Sequence, residues 1–227
     1  KDFIMCLIIA NPQCNAVPKE HIVNAFSTNH DGFGIMWADP KSGHLKVIRG
    51  MFSVELIESL FQRMTRNKTP YVAHFRFATH GTKGSDNCHP FAVANEPLGG
   101  IGMVHNGTLS GPEWRSHRKS DTALLADMIA TDLITGKYDP EHLFDTEAPP
   151  VVDLYGRAIG SDKLVFMNGL GEINIVNGKY GTWKDQVWYS NTYSIMRSYS
   201  YGGMGSMMGS GFDWTEDEEA EWARWFT

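Results

Sequence analysis

Phe3-Ile4-Met5-Cys6-Leu7-Ile8-Ile9-Ala10, closed by Asn11-Pro12, is the stretch on which the fold turns. A short continuous apolar run ended by a turn pair predicts a fully buried strand, and this one carries a cysteine. Outward from it, residues 18–27 suit a short helix, with Pro18 tolerated in the first turn. Asp31-Gly32-Phe33-Gly34 predicts a turn feeding a strand at Ile35-Met36-Trp37. Asp39-Pro40-Lys41-Ser42-Gly43 then makes a hairpin loop to Leu45-Lys46-Val47-Ile48. Ser53 caps a helix whose apolar positions Val54, Leu56, Ile57, Leu60, Phe61 and Met64 recur at helical spacing.

Tyr71 to Phe77 alternates like a strand, and Ile101 to His105 is another, stopped by Asn106-Gly107. Ser120 caps a long helix carrying Leu124, Leu125, Met128, Ile129 and Leu133 and ending near Gly136. Residues 151–190 hold several short strands, with Asn168-Gly169 and Asn177-Gly178 as hairpin signals. Grouped strands, intervening helices and frequent hairpins predict an α+β fold. Two mainly antiparallel sheets with covering helices fit better than a doubly wound parallel sheet. From Tyr199 the composition changes. The expected organisation is residues 1–5 as an extension before the cysteine, 6–198 as the main domain, 199–211 as a Gly/Ser/Met-rich linker and 212–227 as an acidic, Trp-rich tail. That tail, with Trp214, Trp222, Trp225 and Phe226, suits either a docking helix or a helix packed on its own core.

The 227 residues are 42% hydrophobic and 20% charged, the composition of an ordinary globular protein. A formal net charge of −6 offers no basic footprint for nucleic acid or anionic membrane. No apolar run approaches a membrane span, and residues 1–10 lack the long h-region of a secretory signal. The three cysteines, Cys6, Cys14 and Cys88, are irregularly spaced. They make a poor disulfide framework or zinc site and suit reduced thiols in a cytoplasmic compartment. No cofactor is expected.

Four local patterns carry chemistry: Met5-Cys6, then His74-Phe75-Arg76-Phe77-Ala78-Thr79-His80-Gly81 followed by His89-Pro90-Phe91, then Val104-His105-Asn106-Gly107-Thr108, then Ser120-Asp121-Thr122. A cysteine nucleophile needs a base and a pair of oxyanion donors. As the first residue of a mature chain, Cys6 would have its own α-amino group as base, with an unperturbed pKa of about 7.7–8.0. Asn106-Gly107 at a strand end can offer one side-chain amide and one backbone N–H to a single point. Arg76 suits a carboxylate, its planar fork matching that geometry, and Asp121 suits an ammonium. Each of these residues alone also has a plain structural reading: core thiol, ion pair, turn, and helix first-turn charge. Their value lies in co-occurrence.

The ordered set resembles the glutaminase domain of class II, N-terminal-nucleophile glutamine amidotransferases over roughly residues 5–195. It is most similar to the small stand-alone members, through Met5-Cys6, Asp31-Gly32-Phe33-Gly34-Ile35, His74-Phe75-Arg76, His89-Pro90-Phe91 and His105-Asn106-Gly107. The resemblance implies a four-layer αββα sandwich. It implies Cys6 as nucleophile, Asn106 and Gly107 as oxyanion hole, and Arg76 on the glutamine carboxylate. Phe77, where many relatives have tryptophan, with Thr79 and His80, would line that pocket, and Asp121 would bind the α-amino group. The implied reaction hydrolyses the glutamine side-chain amide through a cysteine thioester, giving glutamate and ammonia. The implied partners are glutamine as substrate and a separate ammonia-accepting synthase subunit.

Cys14 and Cys88 show no supporting partners and read as inert core thiols. His74, His80, His89 and His105 lack a compact metal-ligand spacing and read as satisfied buried histidines. Lys1 to Met5 precede Cys6 as a propeptide, as a remnant before a true initiator Met5, or as the native start of a catalytically silent binding or scaffold protein. A γ-glutamyl amide or peptide hydrolase is the alternative enzymatic reading, because the same head-group residues would serve it.

Overall fold

Leu7–Asn11 forms strand β1, and all 5 of its residues are buried. In the computed structural model, which describes residues 6–78, 85–116, 118–145 and 155–196, the reason is that β1 is central in a sheet covered on both faces. The chain divides into two units, Lys1–Arg197 and Ser198–Thr227, and every described residue lies in the first. The linker and tail lie outside the described residues.

Strands β2 (Phe33–Ala38), β3 (Leu45–Met51) and β4 (Tyr71–Phe75) join β1, β9 (Thr182–Lys184) and β10 (Val187–Tyr189) in a 6-stranded sheet of order β3-β2-β4-β1-β10-β9. Strands β5 (Phe91–Ala94), β6 (Ile101–Asn106), β7 (Lys163–Asn168) and β8 (Ile173–Val176) form a 4-stranded sheet in chain order. Every pairing is antiparallel. Alternate residues face opposite sides of a strand, and the two faces of β1 show it. Ile8 and Ala10 join Met36, Val72, Trp188, Val104, Val165 and Met167 in a core between the sheets. On the opposite face, the rings of Phe33, Tyr71 and Phe75 meet Phe61 of helix α2 (Val54–Asn67) with centroids 6.0, 5.3 and 6.3 Å away. Helix α1 (Lys19–Thr28) lies on that side too, where His21 stacks edge-on against Tyr189.

Helix α3 (Asp121–Ile134) covers the outer face of the smaller sheet, packing Leu125, Ala126 and Ile129 against Phe91, Met103 and Phe166. The result is the expected α+β sandwich of four layers, helix–sheet–sheet–helix. Both sequence-predicted caps form: Ser53 Oγ accepts from Leu56 N, and Ser120 Oγ from Ala123 N. No helix among the described residues is long and apolar enough to cross a membrane.

Four details differ from the sequence reading. Strand β4 ends at Phe75: Arg76 N still donates to its opposite residue, at Gly32 O, at 2.8 Å, but Arg76 O accepts from Asp31 N, one residue out of register. Asn168-Gly169 is not a two-residue turn; Asn168 Oδ1 accepts from Leu170 N and Glu172 N and opens a longer loop into β8. Asn177-Gly178 carries the chain from one sheet to the other, since β8 pairs with β7 while β9 pairs with β10. There Asn177 adopts φ 60° and donates its amide to Gly160 O and Asp162 O. Finally, β5 went unpredicted, and β9 was covered only by the general expectation of short strands over residues 151–190. Both are short edge strands, too brief for periodicity to register.

The glycines of Asp31-Gly32-Phe33-Gly34 explain how the layers close at one end. A Cβ on Gly34 would lie 1.9 Å from His89 O, and one on Gly32 2.5 Å from Cys88 Sγ. The sequence motif is therefore a clearance requirement between β2 and the segment entering β5. Gly34→Ala is expected to destabilise the protein by about 3 kcal/mol or more, as overpacking against fixed backbone does. Urea unfolding checks it: the midpoint should fall with the slope unchanged, and an unaltered midpoint would refute the clearance argument.

Candidate active site

Strand register assembles the site before any side chain is considered. In the β1–β4 pair Leu7 opposes Phe75 and Ile8 opposes His74, so one further step sets Cys6 opposite Arg76. Cys6, Ile8 and Ala10 share one parity, as do Val72, His74 and Arg76, and Val104 and Asn106. Ile8, Val72 and Val104 line the core between the sheets. Cys6, Arg76 and Asn106 therefore meet at one end of that seam.

Cys6 is half-buried. Its Sγ donates to Phe77 O at 3.3 Å and accepts from Phe77 N at 3.2 Å. Burial pushes its thiol pKa up to about 11, against the lowering influence of the Phe77 main chain and the Arg76 charge; Asp121 adds to the rise. One cation and one carboxylate thus both act electrostatically on the thiol. The Cys6 carbonyl is held by two side-chain amides, Asn106 Nδ2 at 2.7 Å and Asn191 Nδ2 at 2.8 Å. Asn106 Nδ2 also donates to Ser190 Oγ at 2.6 Å, and Ser190 Oγ accepts from Ile8 N. Both amide hydrogens of Asn106 are engaged in this state. Aiming one at an oxyanion requires releasing Cys6 O or Ser190.

Arg76 is buried, and its guanidinium hydrogen-bonds the Cys88 thiol. Cys88 therefore has a partner that the sequence did not show. Asp31, which opens the Asp31-Gly32-Phe33-Gly34 motif, accepts from Ala78 N at 2.9 Å and pairs its own N–H with Arg76 O. It fixes the backbone on both sides of Phe77. Asp121 is buried in the first turn of α3, accepting from Leu109 N at 2.7 Å through Oδ2 and from Thr122 N at 2.8 Å through Oδ1. Oδ1 also accepts from Thr122 Oγ1 at 3.5 Å; with about two lone-pair sites on each carboxylate oxygen, Oδ2 keeps capacity for a further donor. Thr79 and His80 lie outside the described residues.

The histidines are buried, but not in the satisfied state expected. His74 and His89 stack with centroids 4.0 Å apart. His89 Nδ1 accepts from His105 N at a long 3.4 Å. Neither ring nitrogen of His74 reaches a partner in good hydrogen-bond geometry. Burial first, then the Arg76 and His105 charges, hold His74 down to about 3, and burial holds His89 well below its ordinary value. His105 faces the α3 side, with Nδ1 3.0 Å from Thr122 Oγ1. Among the described residues no group of three His, Cys, Asp or Glu is arranged to hold a metal ion.

Cys6 thus stands at the head of a central strand in a four-layer helix–sheet–sheet–helix sandwich. Over 135 residues, 52% of this chain and 27% of the relative, the sequence is 26% identical to an amidophosphoribosyltransferase of Methanocaldococcus jannaschii. The chain spans about a quarter of that relative's length. No protein-family model matches. A glutamine phosphoribosylpyrophosphate amidotransferase from B. subtilis, complexed with ADP and GMP, superimposes with a TM-score of 0.47 at 18% identity, over 84% of this chain and 42% of that one. A glutamine aminotransferase class-II domain protein from Silicibacter pomeroyi gives 0.37 at 14%, over 81% and 86%.

The stacked imidazoles make stability depend on pH. Both pKa values are lowered on folding, so the unfolded chain binds more protons below about 6.5, and stability is lost as pH falls from there towards the folded values. Urea unfolding at pH 7 and pH 5 should show the loss, its slope approaching about 1.4 kcal/mol per pH unit for each imidazole. In His74→Gln the gradient should flatten. Equal stability at the two pH values would contradict the assignment of neutral, buried rings.

Proposed function

We propose that the domain hydrolyses the side-chain amide of glutamine, with Cys6 as nucleophile once its α-amino group is free. Sγ attacks the amide carbonyl carbon while the α-amino nitrogen takes the thiol proton and returns it to the leaving nitrogen. Ammonia departs, leaving a γ-glutamyl thioester. Water then cleaves the thioester, releasing glutamate and restoring the thiol. Arg76 pairs with the substrate carboxylate and Asp121 with its ammonium, with Phe77, Thr79 and His80 around them. Asn106 and Gly107 donate to the oxyanion. Ammonia passes to an acceptor synthase, here assigned to a separate subunit, and residues 1–5 are assigned as a segment removed before activity.

The observation that supports this reading is that buried Arg76, next to Cys6 by strand register, and buried Asp121 bring one charge of each sign to the surroundings of the thiol. A free amino acid head group offers one carboxylate and one ammonium, the complement of that pair. The register that sets Cys6 opposite Arg76 makes the distance from head group to thiol a fixed property of the sheet.

Two enzyme forms test the proposal, one beginning at Cys6 and one retaining Met5, assayed for ammonia release from glutamine. The first is expected to be active. The second should be slower by about 100-fold or more, because the general base is tied up in a peptide bond. Cys6→Ala should be inactive in either form. Arg76→Lys should raise KM by about 10-fold or more, through loss of a bidentate carboxylate contact. A form beginning at Cys6 that neither releases ammonia nor is labelled by a diazo-ketone glutamine analogue would end the proposal.

A further inference from the structure

Gly107 has no unusual backbone conformation. It is absent from the glycines of positive φ, so the turn alone does not demand glycine there. Space does. A Cβ on Gly107 would lie 1.8 Å from Asp162 Cγ, 2.0 Å from Oδ2 and 2.3 Å from Oδ1. The Asp162 carboxylate rests against the face of the Gly107 residue that a side chain would occupy. Register puts it there, since Asn106 opposes Lys163 in the β6–β7 pair and the next step sets Gly107 opposite Asp162.

The same carboxylate accepts from Thr108 N at 2.9 Å through Oδ2. That oxygen is also 3.5 Å from Nε2 of the buried His105, an ion-pair-range approach without good hydrogen-bond geometry. The opposite nitrogen of the His105 ring meets Thr122 Oγ1, and Thr122 N donates to Asp121. Asp162 itself is anchored, because its carbonyl accepts from Asn177 Nδ2 at 2.9 Å. One carboxylate therefore lies against Gly107, holds the peptide unit that follows it, and begins a chain of contacts that ends at Asp121.

We propose that Asp162 is a positioning residue for the Asn106-Gly107 turn, fixing the oxyanion donors through the Thr108 amide. It acts on the reaction through that turn and makes no contact with substrate. The assignment rests on the amidohydrolase reading for its kinetic consequence, but its structural half stands independently of that reading. A carboxylate is the suitable group: its planar end fits flat against a glycine Cα while accepting from the next amide, and its charge strengthens that bond. Misplacing an oxyanion donor by a fraction of an ångström weakens the transition state far more than the ground state.

Asp162→Ala and Asp162→Asn, each in the form beginning at Cys6, test it. For Asp162→Ala, kcat should fall by about 10- to 100-fold, the scale of small misplacements, with KM within about 2-fold of the parent because Arg76 and Asp121 are untouched. Asp162→Asn keeps an acceptor oxygen for Thr108 N and should recover most of kcat. Hydrogen exchange at the Thr108 amide supplies a readout that needs no activity. It should be slow in the parent and in Asp162→Asn, and faster in Asp162→Ala. An active parent whose kcat is unchanged by both substitutions overturns the proposal. So does equal Thr108 exchange in all three proteins. A parent inactive on glutamine defeats the amidohydrolase reading instead, and Thr108 exchange then decides whether Asp162 holds the turn. If Asp162→Ala does not fold, Asp162→Asn decides by itself: a kcat loss accompanied by a matching rise in KM shows general damage and overturns the assignment.

Discussion

Burial of β1 on both faces is the constraint from which the rest of this domain follows. Ile8 and Ala10 belong to the core between the sheets, while Leu7 and Ile9 point towards the helices, all fully enclosed. A strand in that position has no freedom to slip, because moving it by one residue would exchange its two faces and disturb two cores together. Its hydrogen-bonded neighbours β4 and β10 are fixed with it. The positions next to the ends of these strands, Cys6, Arg76, Ser190 and Asn191, thereby become a rigid group. Ser190 and Asn191 hold the first residues of β1 by side-chain as well as main-chain bonds. The relative positions of these side chains are inherited from sheet register rather than from loop conformation.

A second level of control comes from atoms that are missing. Gly34 and Gly107 both sit where a side chain would collide with another segment, the His89 carbonyl in one case and the Asp162 carboxylate in the other. Neither has a positive φ, so neither is explained by the backbone freedom for which glycine is usually chosen. They are close-approach glycines. Each joins a motif to a residue far away in sequence, which is why motifs widely spaced along the chain act as one site.

What was legible in the sequence divides along the same line. The apolar run at Leu7–Asn11, the periodic helix at Val54–Asn67 and the two serine caps announced themselves, because each is a local pattern with a single physical reading. Cys6, Arg76 and Asp121 were legible as residue types in order, and register brings Cys6 and Arg76 opposite each other. Asp162, Ser190 and Asn191 were not, nor was the contact that Asp31 makes. Each acts through one or two main-chain amides or carbonyls supplied by a distant segment, and no local spacing encodes such a contact. Asn177-Gly178 misled for a related reason. A turn-forming pair reports that the chain bends, whereas whether it returns to the same sheet depends on which surface needs covering. Here Trp188, fully buried in the core between the sheets and bonded through Nε1 to Gly178 O, draws the chain across.

The buried thiol also constrains how the proposed chemistry can run. With its pKa pushed up to about 11, Cys6 does not carry a standing thiolate near neutral pH. A free α-amino group of ordinary pKa lies below it, so complete proton transfer before attack would be uphill. Preforming the ion pair therefore adds to the barrier. Moving the proton as the S–C bond forms avoids a discrete buried thiolate, because negative charge then develops on the carbonyl oxygen and is met there by the oxyanion donors. On this account the burial that weakens the resting nucleophile is tolerable only if the donors are already in place when attack begins. That condition links a desolvated cysteine on one sheet to a rigid Asn106-Gly107 turn on the other.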